Sequence, residues 1–169
     1  MAFSKEWQAL SAASALGGRH AVLEGRLPLL LFGRVVDSAD ASRCEAGDYE
    51  VEARLGFARA GTAERSGAGG WTRLSITASL SVPLRCERCL EAYDHALRID
   101  TEVALVADEA SAAVVPDALE YIVCEAHVRP LDLLEEELIM ALPLVPAHPD
   151  PAQCGELVEA LVALAPEFD

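Results

Sequence analysis

Two long stretches of the chain alternate apolar and polar residues with period two, and Cys86-Glu87-Arg88-Cys89 lies between them. In the first, Leu74, Ile76, Ala78, Leu80, Val82 and Leu84 are apolar, while Arg73, Ser75, Thr77, Ser79, Ser81 and Arg85 stand between or beside them. In the second, Tyr93, His95, Leu97, Ile99, Val103 and Leu105 share one phase, and Asp94, Arg98, Asp100 and Glu102 share the other. Successive side chains of a strand point to opposite faces, so each run predicts a half-buried β-strand. A short polar segment between two such runs predicts an antiparallel hairpin with both cysteines at its tip. At about 3.3 Å per residue, a strand from Trp71 to Arg85 would reach roughly 45 Å. Strands of that length bend or curl, which predicts a curled antiparallel sheet or partial β-barrel built on the long hairpin.

The remaining pattern fills in an α+β chain. Phe3, Trp7, Leu10 and Ala13 recur at three- and four-residue steps, predicting a short helix with Ser4 as N-cap and an end near Gly17-Gly18. Leu29 to Val36 is an apolar strand candidate, and Asp37 to Asp48 reads as a polar loop. Tyr49, Val51, Ala53, Leu55 and Phe57 alternate with charged residues as another strand. Gly61 to Gly70 and Asp108 to Asp117 read as loops, with a short strand from Leu119 to Cys124. Pro130 to Pro143 predicts a helix that packs on the sheet through Leu131, Leu134, Leu138 and Leu142. Asp132 and Glu135 resemble a capping box there, and the three glutamates 135–137 read as a solvated face with a favourable dipole interaction. Leu157, Val158, Leu161 and Val162 predict a short terminal helix.

Composition narrows the class. The 169 residues are 52% hydrophobic and 24% charged, enough for one domain over residues 1–169 with a real core. Acidic side chains outnumber basic ones 28 to 13, giving a net charge of −15. Such a field repels phosphate backbones and favours basic protein partners over naked nucleic acid. The N-terminal residues carry no secretory pattern, and the longest dense apolar run, Leu27 to Phe32, is too short to span a membrane. Five cysteines, an odd number, do not make a disulfide framework, so the expected location is the cytoplasm.

The cysteines and histidines are the candidate chemistry. The two-residue spacing of Cys86 and Cys89 lets both thiolates reach one ion from a tight turn. His148 and Cys154 follow in a proline-stiffened stretch and complete a Cys₃His zinc set. Arg85 and Arg88 beside the thiols would favour thiolate, and are candidate contacts for RNA or a partner. Two alternatives stay open: an unmetallated hairpin end, and a Cys154 thiol that reaches the pair without metal. Thioredoxin-like redox chemistry fits poorly, because its Cys-x-x-Cys opens a helix. Cys44 reads as an incidental loop thiol, Cys124 as a buried structural thiol, His95 as a core histidine and His127 as a surface one. No catalytic constellation and no small-molecule site is recognisable.

Leu84-Arg-Cys-Glu-Arg-Cys-Leu-Glu-Ala-Tyr93 resembles the Cys-x-x-Cys hairpin of the YceD family. Leu131 to His148 is similar to that family's helix and following Leu-Pro-x-x-Pro element, and the resemblance covers about residues 20–155. It implies a non-enzymatic ribosome-biogenesis factor supporting synthesis, processing or stability of large-subunit (23S) ribosomal RNA. The acidic charge points to ribosomal or ribosome-assembly proteins as direct partners, with ribosomal RNA affected indirectly. The alternative is a zinc-ribbon-like module that binds RNA or ribosomal particles directly through the Cys86–Cys89 tip.

Overall fold

The predicted hairpin is the centre of the molecule. A computed structural model describes residues 5–46, 48–61, 70–124 and 127–155. In it, β3 (Trp71–Arg85) and β4 (Ala92–Val106) pair antiparallel without a break from Thr72↔Leu105 to Arg85↔Ala92. β2 (Glu50–Ala60) adds to β3, and β1 (Val22–Pro28) adds to β2, both antiparallel. β5 (Tyr121–Val123) joins the other edge parallel to β4. The described strands therefore lie in the order β1-β2-β3-β4-β5, an open mixed sheet rather than a closed barrel. The α+β class read from the sequence is what the fold shows.

One face of the sheet carries the core. Val51, Leu55 and Phe57 of β2, Leu74, Ile76 and Val82 of β3, and Leu97 and Val103 of β4 are all buried. α5 (Pro130–Ala141) covers them with Leu131, Leu133, Leu134 and Leu138, as its apolar stripe predicts; Leu142 lies just past the helix and is half-buried. Its three glutamates do more than face solvent. Glu135 accepts the Arg34 backbone N–H at 3.0 Å and Glu136 pairs with the Arg34 guanidinium. The N-cap is Arg129, whose side chain pairs with Asp132 at 3.4 Å, so the expected capping box does not form. Pro130 at the first helical turn supplies the start instead.

Four local expectations are corrected. The N-terminal periodic segment splits into a 3-10 turn, Lys5–Trp7, and α1 (Ala13–Gly18); Trp7 is buried while Leu10 is exposed. Phe3 and Ser4 fall outside the described residues. α1 lies against β3 so closely that a Cβ on Gly17 would sit 2.6 Å from Thr72 Oγ1. The apolar stretch Leu29–Val36 is not a strand. The strand lies before it and ends at Pro28, and the chain turns through a 3-10 segment, Leu29–Leu31, into α2 (Gly33–Asp37). Leu29, Phe32 and Val35 are buried at three-residue steps, a helical spacing. The loop from Asp37 contains α3 (Ala41–Ala46), which places Cys44 in the core. A further short helix, α4 (Glu109–Ala112), interrupts the loop before β5. Most of the expected loop over Gly61–Gly70 and the helix expected over Leu157–Val162 fall outside the described residues.

The opposite face of the sheet is polar. Cross-strand neighbours pair there, Arg26 with Glu52 at 3.7 Å and Arg54 with Glu24 at 3.5 Å. Glu24, Glu52 and Arg54 border a shallow groove that Thr77 and Ser79 also line.

Candidate metal centre

The hairpin tip is a tight turn closed by backbone hydrogen bonds. Cys86 N–H donates to Glu91 O at 2.9 Å, and Leu90 N–H donates to Cys86 O at 2.8 Å. Leu90 closes the turn in the left-handed region, with φ 63°. This curl brings both thiols inward, and Cys86 and Cys89 are buried. Glu87 N–H then donates to Pro146 O at 2.8 Å, tying the tip to the stretch after α5. That stretch is held at its far end by Asp150, whose carboxylate accepts Ala152 N–H at 2.9 Å and starts the 3-10 turn Pro151–Cys154. Pro146, Pro149 and Pro151 stiffen this stretch, and with the turn they deliver His148 and Cys154 to the thiol pair.

The four residues read from the sequence are together. One ligand atom from each of Cys86, Cys89, His148 and Cys154 lies within 4.8 Å of all the others, and these atoms are buried. Cys86 Sγ and Cys154 Sγ are 3.7 Å apart; His148 Nδ1 is 3.5 Å from Cys89 Sγ and 3.4 Å from Cys154 Sγ. Around them, Arg88 donates to the His148 carbonyl, and the Tyr93 ring lies 4.8 Å from the imidazole, tilted by 40°. The Tyr93 hydroxyl is buried without a hydrogen-bond partner of normal geometry.

The thiols are electrostatically unequal. Burial pushes the Cys86 thiol up, but backbone N–H groups of His148, Cys89 and Arg88 point at its sulfur and bring it down to about 5. Burial and hydrogen bonding to the Cys86 and Cys89 sulfurs push Cys154 up to about 11. The preference for thiolate at Cys86 thus comes from the backbone of the turn and of the His148 segment, in place of the guanidinium effect expected from the sequence. Arg85 instead reaches Asp40 at 3.4 Å and the Leu90 carbonyl at 3.5 Å. Arg88 opposes the rise at Cys154 by its charge.

The other candidates lie elsewhere. Cys44 is a core residue on α3, its thiol raised by burial and then by Asp40. Cys124 is half-buried, 3.7 Å from the Ile122 carbonyl and raised by burial. His95 is half-buried and meets Tyr93 edge to face at 6.1 Å, and His127 is exposed. Sequence reasoning missed Tyr93, Asp150 and the Pro146 carbonyl as parts of the site. Tyr93 was visible only as a core position in the alternation, and Asp-Pro before Cys154 was the legible sign of a turn.

A family model described as large ribosomal RNA subunit accumulation protein YceD matches residues 74–163, just over half of the 169-residue chain. The match takes in the hairpin from Leu74 onward and all four clustered residues. No curated protein and no solved structure matches.

Proposed function

The chain belongs to the YceD family of large ribosomal RNA subunit accumulation proteins, and from that membership we propose that it is a non-enzymatic ribosome-biogenesis factor. It supports synthesis, processing or stability of large-subunit ribosomal RNA through ribosomal or ribosome-assembly proteins. Its β3–β4 tip is closed by a structural zinc ion held by Cys86, Cys89, His148 and Cys154. The observation that carries this reading is the shape of the four-residue set. A tetrahedral zinc with Zn–S of about 2.3 Å and Zn–N of about 2.0–2.1 Å requires S···S edges of about 3.8 Å and S···N edges of about 3.5 Å. Three of the six separations, 3.7, 3.5 and 3.4 Å, agree with those edges, and all six lie within 4.8 Å.

Three thiolates and an imidazole suit zinc, and they fill its four positions, leaving no open position for a substrate. Bound zinc would supply folding energy by cross-linking the hairpin to the segment after α5. His148 offers Nδ1, and its backbone carbonyl is gripped by Arg88, which fixes the ring's placement. Thiolate ligands require a reducing compartment, which supports a cytoplasmic location. Among the described residues no helix is long and apolar enough to cross a membrane.

The net charge of −15 supports protein partners over direct RNA binding. Arg85 pairs with Asp40 and Arg88 with the His148 carbonyl, so both exposed cations have partners within the chain. The test is complementation of cells lacking the endogenous gene, reading mature large-subunit RNA against small-subunit RNA. The full chain is expected to restore the ratio, and Cys86→Ser with Cys89→Ser is expected to restore it poorly. Purified protein that binds large-subunit RNA fragments tightly, with steep salt dependence and no protein present, would favour the RNA-binding alternative instead.

A further inference from the structure

The long hairpin leaves one side of β4 open. β4 pairs with β3 from Ala92 to Leu105, but with β5 only over Ala104, Leu105 and Val106. Cys86 N–H donates to Glu91 O across the hairpin, so odd-numbered residues of β4 turn their main-chain groups toward β3. Even-numbered residues turn theirs outward: Ala104 N–H donates to Glu120 O at 2.8 Å, and Val106 O accepts from Cys124 N–H at 2.7 Å. Ala92, Asp94, Ala96, Arg98, Asp100 and Glu102 precede them on the same edge, and all are exposed. Their outward N–H and C=O groups meet no hydrogen-bond partner among the described residues.

Sheet edges are usually kept short, covered or broken by proline. β1, at the other edge, has seven residues and ends on Pro28. β4 has fifteen, without proline or glycine, so its edge is a template for an added strand. The charges along it decide which strand fits. Asp94 already holds Arg43 and Tyr49 but is half exposed, and Arg98 has no carboxylate partner among the described residues.

We propose that the protein self-associates through this edge, two copies pairing their β4 strands antiparallel about a two-fold axis at Ala96 to make one continuous sheet. Outward main-chain groups of two such strands meet only when even-numbered residues face even-numbered ones. An axis at Arg98 sets that guanidinium against its own copy and Asp94 against Glu102. An axis at Leu97 sets Asp94 against Asp100. An axis at Ile99 matches Arg98 with Asp100, but puts Asp94 of the second copy opposite Ala104, where Glu120 and β5 already lie. Axes nearer the tip pair fewer residues and match no opposite charges. With the axis at Ala96, Asp94 of each copy faces Arg98 of the other, only methyl groups meet on the axis, and β5 is clear. On the core face, Leu97 of each copy then lies beside the half-buried His95 of the other. The net charge of −15 on each copy opposes association, but salt screens it beyond about 8 Å, whereas facing side chains are nearer.

Sedimentation equilibrium and light scattering of the full chain, from about 1 μM to about 1 mM at physiological salt, test the pairing. A monomer–dimer equilibrium is expected. Ala96→Pro removes an N–H that faces outward, where an edge strand tolerates proline, so it should abolish the dimer and keep the monomer's melting temperature. Arg98→Glu sets two acidic pairs across the axis and should weaken the dimer by about tenfold or more, as should Asp94→Arg with two basic pairs. Mixed together, these two variants should associate as the parent does, because every acidic residue again faces an arginine. Arg26→Glu, on the far strand β1, should leave association unchanged. A parent that stays monomeric throughout the series would overturn the proposal, whether its edge is free or taken by another protein or by residues 156–169. So would a dimer that Ala96→Pro and Arg98→Glu leave intact, or folded variants that fail to associate when mixed. Asp94 also holds Arg43 and Tyr49, so if Asp94→Arg does not fold, Ala96→Pro and Arg98→Glu decide the outcome.

Discussion

Tyr93 brings a hydroxyl into the site with no normal hydrogen bond, its pKa raised by burial while the Ala147 backbone N–H pulls the other way. An unpartnered buried hydroxyl costs about 1–3 kcal/mol, so Tyr93→Phe is expected to leave stability unchanged or raise it by about 1 kcal/mol. A loss of more than about 1 kcal/mol in thermal or denaturant unfolding would show that the hydroxyl has a partner. Glu137 is a second residue under burial stress: burial, and then Glu120 and Glu136, raise its pKa. A carboxyl raised in the folded state favours folding at low pH, and that contribution is lost as pH rises through its folded pKa. Glu137→Gln should therefore be more stable than the parent at neutral pH. The difference should vanish below about pH 4, where the unfolded carboxyl is also protonated. Equal stability at both pH values would contradict the assignment. At this scale the sequence made legible Cys86, Cys89, His148 and Cys154, because thiol and imidazole spacing is chemical information. Which tyrosine hydroxyl lacks a partner is set by tertiary neighbours.

At the scale of elements, β2, β3 and β4 were legible because long period-two alternation has a single reading when one face is buried. The helix over Pro130–Ala141 was legible for the same reason at a different period. Leu29–Val36 was not, because a short apolar run fits strand and helix alike. What decided it was Pro28, which ends the β1 ladder, together with burial of Leu29, Phe32 and Val35 on one side. The parallel placement of β5 carries no local signal either, since three residues hold too little pattern. α5 is held to the sheet by packing far more than by charge. Leu134, fully buried, should cost about 2–5 kcal/mol when changed to alanine. Arg34→Ala, which removes the exposed pairing with Glu136, should cost far less than the change at Leu134. Denaturant titration of both variants checks the ranking, and a larger loss at Arg34 would contradict it.

For the whole molecule, the site links parts of the chain that are far apart in sequence. Cys86 and Cys154, 68 residues apart, meet only if the hairpin, α5 and the proline-stiffened segment are all in place. Zinc removal should therefore loosen more than the tip: a chelator strong enough to strip the ion should lower the melting temperature, and added zinc should restore it. The family relation and the acid excess were legible from sequence because they need no geometry. The open edge of β4 was not, since it depends on where β5 joins the sheet. The most direct test of the account is the zinc content per chain, by elemental analysis, of the full-length protein and of Cys154→Ser and His148→Ala. The account predicts one zinc per chain in the parent and a marked loss in both variants. A parent protein without zinc, or variants that retain it in full, would contradict a Cys₃His centre at the heart of the fold.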